Sequence, residues 1–418
     1  MLYLCMITKN IPPTMTRILK PEIELEQALA GQIYNALEGD VVRFVLKNAQ
    51  SSTDDDYWRS RMEGHCMKVD KNLLGDFYNL CHEVKRRLNF QEDVDFYVTG
   101  DSSINAFSIA AEDDQHPHIV NVNSELFNLM SEDELKFVVG HELGHLINQD
   151  TALRRLIHFV YPPQSTQIPL TLQYKIHLHD NLAELVADRY GYIACGNLEA
   201  CVTAFFKMAS GLDLEKMHVS IDDLLADNSK HLEYFLKGGG MSHYDHPVNP
   251  IRVQAINLFA NARNQDELDK GMDELIQVLL KVGNNPMDQP MSIFVATAGI
   301  IAANVDGNVT KEEYEHIIGT LSGSMIFPKN FLDSVLKEDV DALFQESVKT
   351  ILSINPNLKS NMMEYIIGII LADREIGEKE VNFIYGIGKS LGLSVQEISI
   401  LFAGMVQRSF NPSLDAIS

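Results

Sequence analysis

Leu135, Val138, Val139, Leu143, Leu146 and Ile147 recur at three- and four-residue spacing, a period that predicts a helix with one buried side. Ser131 followed by Glu134 supplies a capping box at its start: the serine accepts from an early backbone N–H and the glutamate from the N–H of the cap residue. Upstream, Leu73, Leu74, Phe77, Leu80, Val84 and Leu88 predict an amphipathic helix over residues 71–90. Three short β-rich runs lie between the two helices, at residues 95–99, 105–110 and 118–122, the last two around an acidic turn at 112–114. A small sheet therefore precedes the central helix. Downstream, Leu182, Leu185, Val186 and Tyr190 predict a second helix beginning near His179 and Asp180. The first 68 residues read as mostly helical, broken by a polar stretch at 51–56.

The central helix carries chemistry. His141 and His145 are four apart and project from one face, so their imidazoles can grip one zinc ion, while Glu142 is placed to take a proton from water at that metal. Two histidines on one helix need a third protein ligand, and a carboxylate from another helix is the usual supplier. Glu184 fits that need. Asp188, one turn on, can accept the free N–H of a ligand histidine and fix its tautomer. His177 and His179 are nearby competitors, but their i,i+2 spacing does not share one helical face. Further on, Gly238, Gly239 and Gly240 make a hinge before His243, Asp245 and His246, and Pro247 and Pro250 precede a helix. A histidine on such a loop can donate to the oxyanion of a tetrahedral intermediate, or swing in as a fourth ligand and shut the site. If one of the short strands is an open edge, an extended peptide can add to it through main-chain hydrogen bonds; the competing reading is a plain structural hairpin.

Composition narrows the class. The 418 residues are 45% hydrophobic and 22% charged, ordinary for a globular protein of two or three domains. With 34 basic against 58 acidic residues the formal charge is −24, which repels nucleic acid and anionic membrane faces. Cys5, Cys66, Cys81, Cys195 and Cys201 show no CxxC spacing and read as reduced thiols of a cytoplasmic protein. The N-terminal lysine follows its apolar run instead of preceding it, so no secretory signal is expected. The longest apolar run, 291–303, is shorter than the roughly 18 residues a spanning helix needs.

These motifs resemble the soluble portion of the HtpX-like and CAAX-prenyl-endopeptidase-like zinc peptidases of the gluzincin group. The likeness runs from about residue 70 to 260: Asn105-Ala106-Phe107 resembles the edge-strand motif, 131–145 the HExxH helix, Glu184 to Asp188 the ExxxD helix, and His246-Pro247 with Arg252 the late HP…R element. The resemblance implies one Zn2+ per chain held by His141, His145 and Glu184, with Glu142 as general base. It also implies support from Asp188 and Arg252, His246 as oxyanion donor or gating ligand, and substrate binding along Asn105, Ala106, Phe107 and Ser108. Asp245 stands where relatives often have threonine, and no spanning segment of the kind many relatives carry is visible.

The last third is set off by Gly283-Asn284-Asn285-Pro286 and contains a repeat, 305–313 aligning with 372–380. Its first loop is spaced like a calcium loop around Gly307, but Ala302 and Arg374 break the pattern and calcium is not expected. The unit resembles TerB-like helical domains, which implies an interaction or regulatory module. The fold expected is α+β and predominantly helical: an N-terminal helical segment (1–68), a gluzincin-type peptidase domain with a small sheet (69–282) and an all-α TerB-like domain (287–418). The function expected is endopeptidase action on extended or unfolded polypeptides, with a protein partner for the last domain, no nucleic acid and no membrane span. A different class, a catalytically silent zinc-stabilised adaptor acting through the last domain, is the alternative.

Overall fold

The computed structural model describes residues 19–48, 54–111, 116–162, 168, 170–236, 246–281, 288–303, 335–371 and 377–410. The chain begins with α1 (Glu24–Ala36), α2 (Gly39–Asn48), α3 (Asp54–His65) and β1 (Met67–Lys68), then α4 (Gly75–Arg87), β2 (Val94–Thr99), β3 (Ala106–Ile109) and β4 (His118–Asn123). The short α5 (Glu125–Leu129) leads into α6 (Glu132–Ile147), α7 (Asp150–Val160), α8 (Leu170–Cys195), α9 (Leu198–Ser210), α10 (Ile221–Leu236), α11 (Asn249–Asn261) and α12 (Gln265–Lys281). Last come α13 (Asp288–Ala303), α14 (Val340–Ile354), α15 (Lys359–Ile370), α16 (Glu378–Ser390) and α17 (Val395–Phe410).

The sheet is mixed, in the order β1-β2-β4-β3, with β2 parallel to β4 and β3 antiparallel to it. β3 is thus an edge strand and also half of a hairpin with β4, in the register Ala106 to Val122 and Ser108 to Val120. The backbone N–H of Asn123 donates to the carbonyl of Asn105 at 3.0 Å, so odd-numbered residues of this strand bond inward, and Ala106 and Ser108 aim their main-chain groups at the free edge. Phe107 packs on Trp58 of α3, ring centroids 5.5 Å apart.

α6 is the spine of the molecule, and its capping box forms as the sequence implies: the N–H of Ser131 donates to Glu134 Oε2 at 2.6 Å and the N–H of Glu134 to Ser131 Oγ at 3.4 Å. Glu134 also accepts from buried Lys207 Nζ at 2.7 Å, which ties the start of α6 to α9. Among the described residues, α8 lies against α6 more extensively than any other pair of elements pack. Glycines set that approach. A Cβ on Gly140 would stand 2.4 Å from Ala194 Cβ, and one on Gly144 would stand 2.9 Å from Tyr190 Cβ and 3.0 Å from Ala187 Cα. Gly191 on α8 answers from the other side, where a Cβ would meet the Phe137 ring at 2.7 Å.

Three boundaries differ from the sequence expectation. α4 is shorter than 71–90, and Leu73 falls in the preceding turn, 62% exposed. Residues 54–56 belong to α3 instead of a polar break, a helix anchored where Met62 and Trp58 pack against Tyr97 and Ile119. α8 starts at Leu170, nine residues before the expected point, because Leu172 and Ile176 pack against Leu153, Leu156 and Ile157 of α7; tertiary burial overrides a weak local pattern. Glycines 238–240, His243 and Asp245, the acidic turn at 112–114 and the first copy of the C-terminal repeat lie outside the described residues, as does most of the second loop.

The core is divided. One cluster joins the sheet to α4, α6 and α9, a second joins α1, α8, α11 and α12, and the C-terminal helices share a third built around Phe294, Phe344, Ile366 and Ile384. Among the described residues, no helix is long and apolar enough to cross a membrane.

Candidate metal centre

The close approach of α8 to α6 brings His141, His145 and Glu184 together, their ligand atoms all within 4.8 Å of one another. His141 Nε2 lies 3.2 Å from His145 Nε2 and 3.4 Å from Glu184 Oε2, while His145 Nε2 lies 3.5 Å from Glu184 Oε1. The two rings stand at 90°. Their Nδ1 atoms face outward onto separate carboxylates, His141 on Asp188 Oδ1 at 3.0 Å and His145 on Asp150 Oδ2 at 3.0 Å. In the neutral ring that pairing places the proton on Nδ1 and leaves Nε2 as a lone-pair donor.

Arg252, on α11, grips Asp188 with Nε on Oδ2 at 2.9 Å and Nη2 on Oδ1 at 2.5 Å, and its guanidinium stacks over the Phe205 ring at 4.7 Å. Burial alone would raise the Asp188 carboxyl, but Arg252 and then His141 hold it below its ordinary value. Burial would lower His141, and Asp188 and Glu184 outweigh it, raising the imidazole to about 10. For Glu184 burial is again outweighed, here by His145, His141 and His246, so the carboxylate stays well below its usual range. Ionised Glu184 and Asp188 thus hold a positive charge at this spot, on the ring when it is protonated or on a divalent cation that displaces the Nε2 proton. Two imidazole nitrogens and one ionised carboxylate fit a divalent metal. Glu184 Oε2 is buried and makes no well-formed hydrogen bond, although His246 Nδ1 at 2.9 Å and His141 Nε2 at 3.4 Å face it, so an ion among these groups would give it a partner.

Glu142, next to His141 on α6, is 7% exposed, and its charge adds to the field on Arg252. His246 stands at the mouth with its side chain 53% exposed and Nδ1 2.9 Å from Glu184 Oε2. His177 and His179 are not neighbours of this cluster: His177 faces outward and bonds Asn181, whereas His179 is buried against α1. The residue that sequence reasoning missed is Asp150, the partner of His145. Its signal is faint, a two-residue turn after α6 in which Gln149 takes a left-handed φ of 61° and redirects the chain so that the first residue of α7 points back at the helix it has just left.

A buried His-His-Glu set on two packed helices, with each histidine oriented by a carboxylate, is an arrangement of metallopeptidases. The comparisons agree with that class. Residues 76–180 match the model of peptidase family M48, a span that takes in His141, Glu142 and His145 and ends before Glu184. The chain is similar to the plastoglobule-localized metallopeptidase 48 of Arabidopsis thaliana, 26% identical over 220 residues, covering 50% of this chain and 63% of that one. It is also similar to protease HtpX homologues of Thermoplasma volcanium, 34% identical over 86 residues, and Trichormus variabilis, 34% over 83. Those two matches cover 21% and 20% of this chain and 27% and 28% of the relatives, so the chain spans less than two thirds of each relative's length. No solved structure matches. The matches make the chain similar to M48-type metallopeptidases over part of its length.

Proposed function

We propose that the chain is a zinc-dependent endopeptidase that hydrolyses extended or unfolded polypeptides, with His141, His145 and Glu184 as the metal ligands. The observation that carries this is the convergence of two Nε2 atoms and one carboxylate within 4.8 Å, each histidine held from behind by Asp188 or Asp150. Zinc, when bound, makes water acidic at neutral pH and polarises a scissile carbonyl. Glu142 accepts the proton of the attacking water and delivers it to the leaving amine. Asp188, itself held by Arg252, and Asp150 keep both ligand rings in one tautomer. We place His246 at the mouth, as donor to the carbonyl oxygen when it faces substrate and as a gate when it rests on Glu184. Ala106 and Ser108 present main-chain groups for an extended peptide to pair with.

The C-terminal helices, with a core of their own, form in this reading a separate unit spanning 287–418 that binds a protein partner, as the TerB-like resemblance implies. The excess of acidic groups disfavours acidic substrates, and free cysteines without CxxC spacing support a reducing, cytoplasmic location in this reading. Glu142→Gln tests the chemistry: the variant is expected to keep full metal occupancy by elemental analysis while losing cleavage of an unfolded protein. Cleavage equal to the wild type would overturn the assignment of Glu142.

A further inference from the structure

A second cluster lies behind the first. Glu26 of α1, Asp150 at the start of α7 and His179 of α8 are 1%, 5% and 2% exposed, and their ligand atoms also fall within 4.8 Å of one another. His179 Nε2 is 2.9 Å from Glu26 Oε1 and 3.9 Å from Asp150 Oδ1. The shorter distance is that of a hydrogen bond, yet neither ring nitrogen of His179 makes one, and Glu26 Oε2 has no partner either. His179 Nε2 and Glu26 Oε2 are therefore buried polar atoms that a ligand held between these side chains would satisfy.

Charge leads to the same conclusion. Glu26 Oε1, Asp150 Oδ1 and, on the Nδ1 side, Asp180 Oδ1 at 3.5 Å all face the one imidazole of His179, so carboxylates outnumber the ring even with Asp150 shared with His145, and an uncompensated charge out of water is costly. A divalent cation with a neutral ring balances it. The donor set, one imidazole nitrogen and two carboxylate oxygens, suits zinc or manganese over calcium or magnesium, which take all-oxygen ligands. Of the three, Glu26 also borders a cavity of about 280 Å³ that Glu22, Asn148, Gln149 and Tyr190 line with it; Asp150 and His179 lie outside that lining.

We propose that Glu26, Asp150 and His179 form a second, structural divalent-metal site that clamps α1, α7 and α8 together. Asp150 links the two centres. One of its oxygens faces the second cluster, where it also accepts from Asn148 Nδ2 at 2.7 Å, and the other holds His145 Nδ1 at 3.0 Å. An ion on Asp150 therefore fixes the carboxylate that orients His145, so the second site positions a ligand of the first without touching substrate. The site stands on its own residues and does not depend on the peptidase reading.

The test is stoichiometry and position. The full chain is stripped with chelator, titrated with Zn2+ alone and weighed by native mass spectrometry, with no cleavage assay involved. Two equivalents are expected for the wild type and one for Glu26→Gln and for His179→Gln, while His141→Gln also keeps one, held at the second site. Glu26→Gln preserves shape, and its folding is checked by circular dichroism. One equivalent in the wild type, lost on His141→Gln, would overturn the proposal, as would two equivalents retained by both second-site variants. Anomalous diffraction at the zinc edge on the wild type decides without any substitution: two peaks, one beside His179, uphold the site, and a single peak beside His141 rules it out.

Discussion

Arg252 and Asp188 form a bidentate pair buried on both sides, reaching from α11 to α8 directly behind His141. The geometry matches the planar fork of a guanidinium to a carboxylate, which an ammonium cannot reproduce. Arg252→Met leaves Asp188 buried without its cation, and breaking a buried pair from one side costs about 3–5 kcal/mol. A clear fall in unfolding temperature is expected, together with metal affinity reduced roughly 10–100-fold in chelator competition. Affinity unchanged from the wild type would mean that Asp188 orients His141 without help from Arg252.

The glycine seam makes a second prediction. A methyl on Gly144 would stand 2.9 Å from Tyr190 Cβ, so Gly144→Ala must push α8 away from α6. Overpacking of this kind costs about 1–3 kcal/mol, and the same displacement draws Glu184 away from the histidines. Thermal unfolding should shift down and zinc affinity should fall together. Gly64→Ala serves as control, since a Cβ there meets nothing within 4 Å.

His246 separates two roles by kinetics. As a donor to the developing oxyanion, its removal in His246→Ala should lower kcat about 100- to 1,000-fold with metal content unchanged. A kcat that rises on the same substitution would identify the histidine as a gate resting on Glu184.

Ser108→Pro probes the sheet edge. Ser108 aims its N–H away from β4, so a proline there removes a group from the free edge and none from the β3–β4 ladder. KM for an extended peptide is expected to rise several-fold with the unfolding temperature nearly unchanged. An unaltered KM would place the substrate elsewhere.

What could be read from the chain follows the range of the interactions involved. The α6 helix is legible because its cap, its apolar stripe and its histidines are all local, set by residues three and four apart. Glu184, Asp188 and Arg252 could be singled out by motif, and the structure brings them to His141. The true length of α8 was hidden because its first turns are held by the packing of Leu172 and Ile176 on α7, not by a clean period. Glu26 was invisible for a related reason: it has no neighbour in sequence that announces its role and reaches His179 only after α1 and α8 have docked, while Asp150, five residues past His145, depends on the left-handed turn at Gln149. The glycines of the seam were in plain sight in the HExxH helix, but a missing side chain says nothing until the opposing backbone is known.

α8 carries His179, Glu184 and Asp188 within three turns, and each answers to a different partner: α1, α6 and α11. A slip of this helix along its axis by one residue, about 1.5 Å, would misplace all three contacts at once. Three independent stops on one rod leave it no direction in which to drift. The tolerance of the whole centre is then set by this one helix, and insertions or deletions between His179 and Asp188 should not be accepted.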